Sequence, residues 1–165
     1  MKERRAVAFT GPSGSGKTTL IEKLAYYWKD TKRVAIIKHD PKDKAKFDTP
    51  GKDSERFFRA GAETAVVSPT RTTFFSHRSR DLSELVEMFG MFDILMVEGL
   101  KTWPLPRICI FRGKIDRDYL DVCDAVAIDE SIDVARADLP KRLAVLDLND
   151  ISSVAAWIEA HAATI

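Results

Sequence analysis

Short apolar runs and longer amphipathic segments alternate along this chain. Ala6–Thr10, Val34–Lys38, Thr64–Ser68, Ile94–Val97, Ile108–Phe111, Ala125–Ile128 and Leu143–Leu146 are apolar or β-branched with hardly a polar break. Such continuity predicts strands buried on both faces, because a strand with one wet face would alternate. Between these runs the spacing changes to that of a helix face. Leu20, Ile21, Leu24 and Trp28 share one stripe, and Leu82, Leu85, Val86 and Phe89 share another. The second stripe is opened by Asp81 with Glu84 three residues on, a capping box, and closed by Gly90. Ile151, Val154, Ala155 and Ile158 form a third stripe after Asp150, and Phe57 and Phe58 lie in a shorter helical stretch ending at Gly61. Thr72–Ser76, just after a Ser68-Pro69-Thr70 turn, predicts one extra strand as an edge hairpin. Strands separated by helices imply right-handed crossovers and a mainly parallel sheet.

The length of 165 residues fits one domain spanning 1–165, which by surface scaling buries about 70% of its extended area. With 45% hydrophobic and 31% charged residues, the chain is neither collagen-like nor disordered. No apolar run has the length of a membrane span, and Met1–Arg5 leads into the first strand without a signal-like apolar stretch. The expectation is a soluble cytoplasmic protein. Cys109 and Cys123 form no Cys-x-x-Cys pair, so the expectation for them is two ordinary, unpaired, semi-buried residues. Charge is uneven: residues 1–115 carry 22 basic and 14 acidic side chains, residues 116–150 carry 4 and 10. That asymmetry suits an anionic ligand in the N-terminal part without the basic stripe of a nucleic-acid binder.

Gly11-Pro12-Ser13-Gly14-Ser15-Gly16-Lys17-Thr18 supplies the chemistry. It satisfies G-x-x-x-x-G-K-[ST] and sits between the first strand and the first helix, where a phosphate loop must lie. Glycines let backbone N–H groups wrap a phosphate, and the helix N-terminus adds partial positive charge. Lys17 reaches the β- and γ-phosphates, and Thr18 offers a hydroxyl to Mg²⁺. The fold expectation is therefore α/β, a P-loop NTPase-type three-layer arrangement.

In a parallel sheet the ligand lies beyond the carboxyl ends of the strands. In Asp93-Ile94-Leu95-Met96-Val97-Glu98, the two carboxylates are roughly 16 Å apart, and Glu98 is at the phosphate end. There it can hold Mg²⁺ or orient a water. The same rule selects Lys38-His39-Asp40: Asp40 as a second magnesium or water-orienting carboxylate, Lys38 or His39 toward anionic substrate. His77 and His161 have no ligand spacing with one another.

The ordered set of the phosphate loop, Ile37-Lys38-His39-Asp40, Asp48-Thr49-Pro50-Gly51-Lys52-Asp53-Ser54-Glu55-Arg56, Ala60-Gly61-Ala62, Ser68-Pro69-Thr70-Arg71 and Val97-Glu98-Gly99-Leu100-Lys101 resembles the molybdopterin-guanine dinucleotide biosynthesis protein B family. The resemblance covers about residues 5–115. It implies a GTP-binding protein of low intrinsic GTPase activity that assists a molybdenum cofactor guanylyltransferase in attaching GMP to molybdopterin or Mo-molybdopterin. It also implies a homodimer with sheets joined edge to edge. The charge pattern and the apolar run lengths, taken by themselves, predict no nucleic-acid or membrane partner. Carried over by position, the phosphate role falls on Gly11, Ser13, Gly14, Ser15, Gly16, Lys17, Thr18 and Thr19, and the magnesium and switch roles on Asp40 and Glu98. Lys52, Asp53 and Arg56 shape the mouth of the site, and Arg71 is a contact for the pterin phosphate or the partner. An alternative for Arg56 is an ion pair on the helix surface near Asp53.

GTP itself rests on the resemblance, since Gly113-Lys114-Ile115-Asp116 lacks the leading Asn or Thr of guanine-reading motifs. Two alternatives share the phosphate loop. A small-molecule kinase would need an arginine-rich lid, for which Thr70–Arg80 is the best stretch. A metallochaperone GTPase would need Cys or His ligands near the nucleotide, where only His39 stands.

Overall fold

The computed structural model describes residues 3–165; Met1 and Lys2, the start of the charged N-terminal stretch, lie outside the described residues. The chain divides into two compact units, one running to His39 and resuming at Phe89, the other spanning Asp40–Met88.

The larger unit holds a sheet of β1 (Arg5–Thr10), β2 (Val34–Lys38), β5 (Ile94–Glu98), β6 (Arg107–Phe111), β7 (Ala125–Ile128) and β8 (Ala144–Asp147), in the order β2-β5-β1-β6-β7-β8. All these pairings are parallel. Burial follows strand position: Ala6–Thr10 and Ile94–Val97 are wholly buried in the interior, whereas β2 at the edge alternates, with Ile36 42% exposed. One face is covered by α1 (Lys17–Trp28) and α4 (Ile151–His161). Leu20, Leu24 and Trp28 of α1 meet Val154, Trp157 and Ile158 of α4 over Val7, Phe9, Met96, Ile108 and Ile110. Trp28 Nε1 donates to Glu159 Oε1 at 3.0 Å, joining the two helices. The second face of β6 and β7 packs Cys109, Phe111, Val126 and Ile128 under a 3₁₀ turn, Arg117–Val122. Asp150 caps α4 by accepting from Ser153 N. A two-residue strand, β9 (Ala163–Thr164), absent from the sequence expectation, runs antiparallel to β1 at Arg5 and Ala6. It is too short to carry a period.

The smaller unit contains α2 (Asp53–Arg59), the antiparallel pair β3 (Thr64–Val67) and β4 (Thr72–Phe75), and most of α3 (Leu82–Phe89). At the start of α3, Asp81 Oδ1 accepts from Glu84 N and Glu84 Oε2 accepts from Asp81 N, the reciprocal bonds of a capping box. His77 closes the hairpin on α2, its ring stacked 3.8 Å from Phe58 and its Nε2 2.8 Å from Phe58 O.

Two expectations are corrected. Thr64–Ser68, Val34–Lys38 and Leu143–Leu146 predict strands buried on both faces, but β3 forms its own two-stranded sheet with Val66 and Val67 42% and 74% exposed, and β2 and β8, at the two ends of the parallel sheet, leave Ile36 and Val145 42% and 44% exposed. An apolar run reports hydrophobicity, not whether a partner sheet covers it. The cysteines are not unpaired: Cys109 and Cys123 are both buried and joined as a disulfide, with Cα atoms 5.9 Å apart. The pairing depends on the 3₁₀ turn returning the chain beneath β6, which no Cys spacing announces. Among the described residues no helix is long and apolar enough to cross a membrane.

Candidate phosphate site

β1 delivers the chain to the sheet's carboxyl edge, and Gly11 begins the turn there with φ +143°. A Cβ at Gly11 would lie 2.4 Å from Ile110 O of the neighbouring strand, so only glycine fits. Gly14 and Gly16 also have positive φ, and Gly16 caps α1 with no side-chain hydrogen bond to the helix's first amides. Those N-terminal donors and the helix dipole face the loop. Ser15 is 5% exposed, and its Oγ is buried with no hydrogen-bond partner among the described residues. A hydroxyl left so is costly unless a ligand completes it.

Lys17 folds back over the loop. Its Nζ donates to Gly11 O at 2.9 Å and Pro12 O at 2.7 Å. Burial lowers its pKa below the ordinary 10.5; Glu98 opposes that shift and Lys38 adds to it. The ammonium is thus held partly desolvated inside the loop, as an anion-binding charge requires.

Glu98 ends β5 between two neighbours, in register with Phe9 of β1 and Lys38 of β2. His39 N donates to Glu98 O at 3.0 Å, and Gly99 N donates to Phe9 O at 2.9 Å. Thr18, Lys38 and Glu98 line one end of a cleft of about 550 Å³ whose apolar wall is Ile21, Ala25 and Ile36. The structure therefore brings together Gly11–Thr18, Lys38, His39 and Glu98, with Thr19 exposed on the first turn of α1.

The remaining candidates belong to the smaller unit. Asp40 accepts from the backbone N–H groups of Lys42, Lys44 and Ala45, shaping the loop that follows it. Lys52 is the N-cap of α2, with Asp53 in its first turn and Arg56 in its last. The ion pair on that helix joins Arg59 to Glu55 at 2.7 Å, rather than Arg56 to Asp53. Arg71 sits in the β3–β4 turn, where Ser68 N and Oγ both donate to its carbonyl.

Sequence reasoning missed Arg107 and Arg112. Arg107 is 1% exposed at the start of β6, and its guanidinium donates to Gly99 O, Leu100 O and Trp103 O at 2.9, 3.0 and 3.1 Å. Burial lowers its pKa, with Asp124 opposing. Arg107 thereby fixes the turn after Glu98, in which Leu100 takes a φ of +48°. Arg112 follows β6 and pairs with Asp129, which follows β7, at 3.3 Å. The end-of-strand rule that selects Glu98 selects Arg112 and Asp129 as well once applied to β6 and β7, but not Arg107, which begins β6. Asp116 of the weak guanine-reader match instead caps the 3₁₀ turn by accepting from Asp118 N at 3.2 Å.

Known proteins resemble this chain in fold, and some of them in sequence as well. Bacillus subtilis MobB superposes with a TM-score of 0.73 at 25% identity, covering 95% of this chain and 98% of that one. The hydrogenase maturation factor HypB from Archaeoglobus fulgidus superposes at 0.52 with 16% identity over 95% of this chain and 87% of that one, a likeness of fold. The molybdopterin-guanine dinucleotide biosynthesis adapter protein of Haemophilus influenzae is 31% identical over 162 residues, 93% of this chain and 86% of its own length. Its Escherichia coli counterpart is 31% identical over 163 residues, 92% and 90%. The family pattern described as molybdopterin guanine dinucleotide synthesis protein B matches residues 6–135, so the chain belongs to that family.

Proposed function

We propose that the chain is a GTP-binding adapter with weak Mg²⁺-dependent GTPase activity that assists guanylyl transfer to molybdopterin during guanine dinucleotide cofactor biosynthesis. The observation that carries the nucleotide reading is the loop built around Lys17: an ammonium on the carbonyls of Gly11 and Pro12, a buried unpartnered Ser15 hydroxyl, and an uncapped helix start. Membership of the family supports extending the reading to a guanine nucleotide, a guanylyltransferase partner, a pterin ligand and a homodimer.

The loop amides and Lys17 bind the phosphates and neutralise their charge. Thr18 and Glu98, hard oxygen donors on one cleft wall, are the residues that would hold Mg²⁺, an ion that takes one or two protein oxygens and completes its shell with phosphate and water. When bound, Mg²⁺ supplies Lewis-acid stabilisation of phosphate charge. Glu98 additionally orients a water by accepting its hydrogen bond. Lys38 and His39, at the end of β2 beside Glu98, meet the anionic pterin. Lys52, Asp53, Arg56 and Arg71 of the smaller unit are contacts for the partner enzyme.

Competition calorimetry of GTP against ATP tests the reading, with Lys17→Ala as control. GTP is expected to win, and Lys17→Ala to abolish triphosphate binding while the circular dichroism spectrum and melting cooperativity are retained. Equal affinity of the folded variant for GTP would remove the site assignment.

A further inference from the structure

The two ends of the phosphate loop face different neighbours. β1 lies between β5, which ends in Glu98, and β6, which ends beside Arg112. A phosphate chain anchored on the loop with its magnesium-binding end at Thr18 and Glu98 must carry its other end away from β5. That direction leads over Gly16 toward the loops after β6 and β7.

Arg112 occupies that place. The position of a Cβ on Gly16 lies 3.4 Å from Arg112 Nε and 3.6 Å from Cζ, so the guanidinium rests against the loop's last glycine. Gly16 has φ +99°, and a side chain there would be strained and would press on that group. Arg112 Nε pairs with Asp129 Oδ2 at 3.3 Å. Asp129 Oδ1 accepts from the Ser131 hydroxyl and, at 3.2 Å, from Ser131 N. The Ser131 hydroxyl oxygen accepts from Gly113 N at 2.7 Å. Two loops from adjacent strands are thereby stitched into one support for a planar cation. The Arg112 side chain nevertheless stays 46% exposed.

We propose that Arg112, oriented by Asp129 and Ser131, is the platform on which the nucleoside of the bound nucleotide rests. The proposal rests on the nucleotide reading above and adds the site's other end. A guanidinium is flat, weakly hydrated and stacks on aromatic faces, which suits a purine ring. Its distance in topology from Glu98, across β1, sets it apart from the cations that serve the terminal phosphate.

The test compares GTP with inorganic tripolyphosphate, which has the phosphates and no nucleoside, by calorimetry on the full chain. Arg112→Ala is expected to weaken GTP about tenfold, the size of one desolvated cation–π contact, and to leave tripolyphosphate unchanged. Arg112→Lys keeps the charge and loses the plane, so it should resemble Arg112→Ala. Asp129→Asn keeps an acceptor for Ser131 and releases Arg112, giving the same selective loss in smaller degree; it serves if Arg112→Ala fails to fold. A tripolyphosphate loss equal to the GTP loss, or rescue by lysine, would assign Arg112 to the phosphates and overturn the proposal. Unchanged GTP affinity in Arg112→Ala would overturn it as well, while leaving nucleotide binding intact. A wild-type chain that binds neither ligand overturns the nucleotide reading, and the platform with it.

Discussion

Lys17 shows how one residue type can be chosen by sequence and tuned only by structure. The motif supplies a lysine at the loop; the fold then buries its ammonium on two carbonyls and lowers its pKa, with Glu98 opposing. An anionic phosphate in the loop favours the charged form, so binding raises that pKa. Between the free and bound values, binding takes up a proton, and affinity must fall as pH rises through the window below 10.5. Calorimetry at alkaline pH in buffers of different ionisation enthalpy reads this uptake directly, and Lys17→Ala should abolish it. Glu98 has a different task. Glu98→Gln keeps the shape and removes the charge, so hydrolysis should slow by at least about tenfold more than nucleotide affinity declines. Single-turnover phosphate release beside equilibrium binding checks this, and parallel losses would make Glu98 a structural residue. Glu98, Lys38 and His39 were legible because a strand's carboxyl end is readable from an apolar run. Arg112 and Asp129 obey the same rule, but an arginine and an aspartate after two unremarkable strands carry no motif to attract notice. Arg107 was hidden for another reason: a charged residue at the head of a buried strand reads as a boundary, and only the turn above it reveals three carbonyls to be satisfied.

At the scale of elements, the apolar runs located the parallel strands because interior position and continuous hydrophobicity are the same physical fact. The outer strands depart from this: Ile36 of β2 and Val145 of β8 are partly exposed, and in β3 an equally apolar run leaves Val67 in solvent. Pattern fixes what an element wants to bury and leaves open what will cover it. The disulfide follows the same logic, since Cys109 and Cys123 meet only through the 3₁₀ turn between β6 and β7. The turn after β5 is the element most dependent on a single side chain. Arg107→Met preserves volume and leaves the carbonyls of Gly99, Leu100 and Trp103 without their donor. We expect a loss of about 3 kcal/mol in unfolding free energy, the scale for breaking a buried charged network. Urea unfolding measures it, and Arg107→Lys, which keeps a charge but must serve all three carbonyls from one nitrogen instead of the two arms of a planar guanidinium, should recover only part.

For the whole molecule, the decisive question is where catalytic charge comes from. Rapid hydrolysis on a phosphate loop requires a cation on the charge developing at the γ-phosphate, and an arginine in that role is worth 10³–10⁵ in rate. Among the described residues lining the cleft beside Glu98, the cations are Lys29 and Lys38, and no arginine is present. Arg112 is committed to Asp129 across β1, and Arg107 to the turn after β5. On the proposed reading, the larger unit would bind a triphosphate at the loop without an arginine of this cleft to complete the cluster that hydrolyses it quickly. Intrinsic turnover should lie far below the median enzyme rate of about 10 s⁻¹. Arginines of the guanylyltransferase or of a second copy would then accelerate it, the behaviour suited to an adapter whose chemistry waits for its partner. Steady-state phosphate release by the purified chain decides this, read across a range of protein concentrations and with the guanylyltransferase added. A rate that climbs with either addition locates the missing charge outside the single chain. A rate above about 1 s⁻¹ that is indifferent to both would make the chain a self-sufficient enzyme, and the adapter reading would fall.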